Sequence, residues 1–109
     1  MEPKGRPKKL RLVENTPKIT QFSPRGKPGR PDEVELGIDQ FEVLRLVDYL
    51  GLNQTQAAEQ IGLSRQTVGR ILRRARKTIS DALITGKIIR ISGGDIKLKK
   101  ASPEGPSKS

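Results

Sequence analysis

Apolar residues recur along this chain in two rhythms, one of helices and one of strands. From Phe41 they fall at threes, with Leu44, Val47 and Leu50, which predicts a helix with one buried face. Asp39 stands at its N-cap position with Glu42 three residues on, a capping-box spacing, and Gly51 offers a left-handed stop. A second, short helix is predicted over Gln54 to Ile61, capped by Asn53, ended by Gly62 and apolar at Ala57, Ala58 and Ile61. A third begins after Ser64 and runs to Gly86, with Val68, Ile71, Leu72, Ala75, Ile79 and Leu83 on its buried stripe. Short alternation predicts strands over Leu10 to Val13 and Lys18 to Phe22 near the start, and over Lys87 to Ser92 and Asp95 to Lys99 near the end. Gly93-Gly94 is a two-residue hairpin signal between the last two, although either strand can instead pair with the N-terminal ones or with another subunit.

These elements divide the chain into a disordered basic arm (1–9), an extended or strand segment with a Pro-Gly loop (10–31), a helical domain (32–86), a β-hairpin or strand (87–100) and a disordered tail (101–109). The expected fold is mainly α, a three-helix core with short flanking strands. At 109 residues and 32% hydrophobic content there is room for one small core. No Cys and no His are present, which removes disulfides, thiolate metal sites and the usual near-neutral proton carrier. Asp32, Glu33, Glu35 and Asp39 form an acidic cluster, but no nucleophile or base accompanies it, so the expectation is no enzyme, no metal and no cofactor. The bland reading is an acidic loop entering a helix N-terminus. No apolar run approaches a membrane span and no signal-type stretch opens the chain, which points to a cytoplasmic protein.

The net charge of +10 is segregated. Met1 to Arg30 carries +7, Pro31 to Glu59 carries −6 and Gln60 to Ser80 carries +6. Two basic blocks around an acidic one suggest a polyanionic partner with two contact surfaces. The second block coincides with a steric pattern. Ala58, Gly62 and Val68 stand at offsets 0, +4 and +10: a small residue where two helices touch, a glycine for the turn, and a branched residue packing the second helix back. That is the helix-turn-helix pattern, and it leaves Arg65, Gln66, Gly69, Arg70 and Arg73 on the free face of the last helix.

Arg forks onto guanine O6 and N7, and Gln onto adenine N6 and N7, in a groove wide enough for one helix. Those five residues are therefore expected to read bases, the glycine by permitting close approach. Gln54, Thr55, Ser64, Thr67, Arg74 and Lys77 are expected on phosphates, with Arg76 also neutralising backbone charge. In the arm, Lys4, Arg6, Lys8 and Lys9 add affinity through counterion release. Gly5-Arg6-Pro7 is similar to a minor-groove AT-hook, with Pro24 to Pro28 a second near match; a generic basic arm and a structural turn are the favoured readings.

The segment Gly51 to Leu83, preceded by FEVLRL, resembles region 4 of bacterial sigma factors and related response-regulator domains. The wider frame resembles a small uncharacterised prokaryotic family of predicted DNA-binding proteins. The matching pieces are RPKKLRLV, the F-x-P-x-G-x-P spacing at Phe22 to Pro28, the helical core, and ALITGKIIRISGG, spanning roughly Arg6 to Gly94. The resemblance implies a sigma-70 region 4-like helix-turn-helix and a role in transcription regulation. Members often carry Cys in the N-terminal segment; this chain has none, so metal-linked sensing is not carried over.

The expected function is sequence-specific binding of double-stranded DNA as a transcriptional regulator. A single reading helix gives few base contacts, which predicts a homodimer, with Ile88, Ile89 and Ile91 or the end of the long helix at the interface. The alternatives are a sigma-like accessory factor that docks on RNA polymerase through the acidic segment, and a non-specific nucleoid- or RNA-binding protein. No pocket signature for a small molecule is visible.

Overall fold

The computed structural model describes residues 10–94 and 96–98. The expected basic arm (1–9), the tail (101–109) and Asp95 lie outside the described residues. In chain order the elements are β1 (Arg11–Val13), β2 (Gln21–Phe22), β3 (Glu33–Leu36), α1 (Ile38–Leu44) continuing into a π-helical turn (Arg45–Tyr49), α2 (Gln54–Ile61), α3 (Arg65–Thr85), β4 (Ile88–Ile91) and β5 (Ile96–Leu98). The architecture is mainly α with short strands.

Two clusters organise the packing. In the first, Val43 and Leu46 from α1 and its π turn meet Ala57, Ala58 and Ile61 of α2 and Val68, Ile71 and Leu72 of α3. Full burial of side chains such as Ile61 and Leu72 contributes about 1.5–3 kcal/mol each, so this cluster fixes how α2 and α3 cross. The second joins Leu36, Ala75 and Ile91, with Ile38, Phe41 and Ile79 against it, and fastens the strands to the other side of α1 and α3. Beneath them Glu42, only 3% exposed, accepts two hydrogen bonds from the Arg45 guanidinium at 2.9 Å and one from the Glu14 amide at 3.3 Å. A carboxylate buried to that degree requires such partners.

The strands form two small sheets. In one, β4 is central, antiparallel to β2 (Phe22 opposite Ile89) and parallel to β3 (Leu36 opposite Ile91). In the other, β1 and β5 pair in parallel, Arg11 opposite Ile96. The Gly93-Gly94 hairpin is therefore absent. Both glycines have positive φ, but the Gly93 carbonyl accepts from the Ile38 amide, and β4 gains two strand partners where a hairpin would give it one. The alternative pairing with N-terminal strands is the one adopted.

Four further expectations are corrected. Residues 33–36 of the acidic segment form β3 and not a loop, because Val34 and Leu36 alternate toward the core while Glu33 and Glu35 face water. Helix α1 is capped at Gly37, not Asp39; Gln40 reaches back to accept from the Gly37 amide at 3.1 Å, and Glu42 serves the buried ion pair in place of a capping box. On α1 and its π turn the fully buried apolar side chains are Val43 and Leu46, with Phe41, Leu44 and Val47 half-buried against the clusters, while Leu50, just beyond the π turn that its amide closes on the Arg45 carbonyl at 2.8 Å, is exposed. On α3 the stripe ends at Ala82, and Leu83 is 73% exposed, because the helix there has run past α1 and α2.

Candidate nucleic-acid interface

Local chemistry sets both helices of the candidate site. Asn53 accepts from the Gln56 amide at 2.8 Å while Gln56 Oε1 accepts from the Asn53 amide at 2.9 Å, a reciprocal cap that starts α2. Gly62 ends it with φ +77°, and the amides of Gly62 and Leu63 both return to the Ala58 carbonyl. Two residues later Ser64 starts α3. Its hydroxyl accepts from the Thr67 amide at 3.1 Å and donates to Thr67 Oγ1 at 2.9 Å. The single Ser64 proton is thus spent within the cap, and the amides left over at this end are those of Arg65 and Gln66.

With Val68, Ile71, Leu72 and Ala75 buried, the opposite face of α3 is exposed at Arg65, Gln66, Arg70 and Arg73. These four, with Gly69 and with Gln54 from the first turn of α2, surround a polar depression of about 420 Å³. The five residues expected to read bases are therefore brought together, and Gln54, expected on a phosphate, sits among them. Gly69 is buried because the Gln54 side chain lies over it: a Cβ at position 69 would stand 3.0 Å from Gln54 Oε1 and 3.6 Å from Arg73 Nη1. Of the expected phosphate set, Thr55, Ser64, Arg74 and Lys77 are exposed and Thr67 is half-buried. Lys4, Arg6, Lys8 and Lys9 lie outside the described residues.

The cations divide into two populations. Arg65, Arg70, Arg73, Arg74 and Lys77 make no ion pair among the described residues. Arg76, expected on DNA backbone, instead forks onto Asp48 of the π turn at 2.7 and 3.1 Å. That hydrogen-bonded pair holds the Asp48 carboxyl below the usual carboxylate range and raises the Arg76 guanidinium above its ordinary value. Arg90 likewise pairs with Glu33, and Lys87 with Asp81, lowering each carboxyl through the hydrogen bond. Arg11, Arg45, Arg76, Lys87 and Arg90 are thus neutralised by carboxylates, whereas the cations gathered on the α3 face are not.

One positioning residue escaped sequence reasoning. Lys27, inside the Pro-Gly loop, donates from Nζ to the Thr85 carbonyl at 2.7 Å and so caps the C-terminal end of α3. Its distance in sequence from that helix leaves no local signal. Among the described residues there is no cluster of three or more acidic, His or Cys side chains suited to a metal ion, and no helix long and apolar enough to cross a membrane.

Residues 1–99 match the family described as "Protein of unknown function DUF134". A "UPF0251 protein" of Methanococcus vannielii is 45% identical over 102 residues, covering 93% of this chain and 78% of its own. Another of Prosthecochloris aestuarii is 47% identical over 91 residues, covering 83% of this chain and 59% of its own. A third, of Desulfosudis oleivorans, is 46% identical over 91 residues, at 83% and 66%. No solved structure matches.

Proposed function

The chain belongs to the DUF134 family, and for it we propose sequence-specific binding of double-stranded DNA, in the manner of a transcriptional regulator, with α3 lying in the major groove. The observation that carries this reading is the face of α3. Arg65, Gln66, Arg70 and Arg73 stand exposed and free of carboxylate partners around Gly69, directly after a cap and a three-residue turn. A short helix and a long one joined that tightly, with the second held by Val68 and Ile71, are the helix-turn-helix device, here in a setting resembling sigma region 4. The unspent Arg65 and Gln66 amides and the exposed Thr55, Arg74 and Lys77 supply backbone contacts that fix register. Such a role belongs in the cytoplasm and involves no catalysis.

One reading helix contacts three or four base pairs, so the proposal includes a second copy on a second half-site. The polymerase-docking alternative has less support, because the acidic segment is already engaged: Glu33 by Arg90, Glu35 by Ser92 and Asp39 by Arg11. A non-specific nucleoid or RNA role uses the same charges but has no use for a Gln and a Gly set among the arginines.

Selection of bound duplexes from a random library tests the proposal. The expected product is a defined motif repeated with inverted symmetry. A pool that stays random through successive rounds contradicts it.

A further inference from the structure

The sheet and helices do not close completely over the second cluster. Phe22, Ile89 and Ile91 share one face of the sheet, and with Phe41 and Leu44 of α1 and Ile79 of α3 they line an open apolar groove of about 640 Å³. A second, smaller depression of about 180 Å³ adjoins it, sharing Phe22 and Ile89 and reaching Leu83 near the end of α3. Phe22, at the junction, is 53% exposed. At the rims Tyr49 is 83% exposed and Leu83 is 73% exposed.

We propose that this band is the surface on which a second copy of the chain docks. Concave apolar floor and projecting apolar side chains lie on the same face, which is what an isologous two-fold contact requires: each copy offers the knob that the other copy's hole receives. Charge points the same way. A chain of net charge +10 pairs with itself only where its own charges are cancelled, and the groove's are: Arg45 is held by Glu42, and Asp48 by Arg76. The same pairings argue against a small ligand, since neither Arg45 nor Asp48 is left to orient one, and small-molecule sites converge a few polar groups on an apolar cavity. The placement suits DNA as well. Leu83 lies about 20 Å along α3 from Arg70, so the joint leaves the reading end uncovered.

This inference rests on the DNA-binding proposal for its purpose but not for its test, which is made without DNA. Sedimentation equilibrium of the full chain, over a wide range of loading concentration, is compared with Tyr49→Glu and Phe22→Glu, each checked by circular dichroism for an unchanged fold. The expected result is twice the 12.1 kDa chain mass for the wild type, and a dissociation constant raised about a hundredfold by Tyr49→Glu, whose side chain contributes little to the fold. Wild-type protein that sediments at the single-chain mass throughout overturns the inference, and more so if it takes up an apolar dye that Phe22→Glu does not. A dimer unaffected by both substitutions overturns the choice of surface. A dimer that selects no duplex leaves this surface standing and sinks the DNA reading; a monomer that selects one does the reverse.

Discussion

Gly62 carries the sharpest demand that the α2–α3 turn makes on a single residue. Its φ of +77° is disfavoured for any side chain by about 1–2 kcal/mol, while an added Cβ would meet only the Leu12 side chain at ordinary contact distance, 3.5 Å. Gly62→Ala is therefore expected to lower the melting temperature by several degrees through backbone strain alone, with Gly62→Asn recovering part of the loss. An unchanged melting curve for Gly62→Ala would refute that account. Gly69 asks for something different. A Cβ there would crowd the mobile end of Gln54 and not a backbone, so Gly69→Ala is expected to keep the fold and weaken binding to a selected duplex, measured by fluorescence anisotropy. Much of this scale was legible in the sequence. Asn53, Gly62, Ser64 and Gly86 act within three or four residues of their own position, and each takes the role its type predicts. Asp39 does not cap α1 because the competing cap, a glycine assisted by Gln40, depends on where β3 delivers the chain.

Between elements, the crossing of α2 and α3 depends on small residues at the contact. Ala58 is 6% exposed there, and Ala58→Leu forces extra methylenes into the first cluster at a cost of about 1–3 kcal/mol, read as a fall in thermal stability together with loss of DNA binding. The π turn is tied to α3 by Asp48 and Arg76. Asp48 is held below its ordinary range, so the pair's contribution is present at neutral pH and is lost as pH falls through the depressed folded value. For a pair this exposed the contribution is below about 1 kcal/mol. Asp48→Asn is thus expected to be slightly less stable than wild type at neutral pH, the gap closing under acid; a gap that widens as pH falls would contradict the assignment. Long-range pairing is what the sequence concealed. β3 hid in an acidic run because two of its four residues face water, and Gly93-Gly94 advertised a hairpin that a central position for β4 outcompetes. Leu50 departs from the predicted stripe for a similar reason, since no local signal announces the π turn that precedes it.

Across the whole molecule, what distinguishes the candidate interface is the gathering of uncancelled arginines around one depression on a single helix face. The α3 face keeps its arginines free, whereas Arg45, Arg76, Lys87 and Arg90 are tied to carboxylates elsewhere. Affinity for DNA should accordingly fall steeply with salt, and Lys77→Ala should weaken all duplexes alike and lower the salt slope by about one, as seen in titrations at several ionic strengths. A slope unchanged by that substitution would remove Lys77 from the phosphate contacts. The candidate site was far more legible than the groove beside it. Arg65 to Arg73 lie on one helix, so their periodicity alone gathers them, while Phe22, Phe41, Ile79 and Ile89 come from four elements and share no local pattern.

The reading of bases by α3 is tested most directly by one comparison: the affinity of Arg65→Ala for a selected duplex and for random-sequence duplex, at one salt concentration. The expected result is a loss of about 1–3 kcal/mol on the selected duplex, a much smaller loss on the random one, and a relaxed preference at a single position. Equal losses on both duplexes would contradict it.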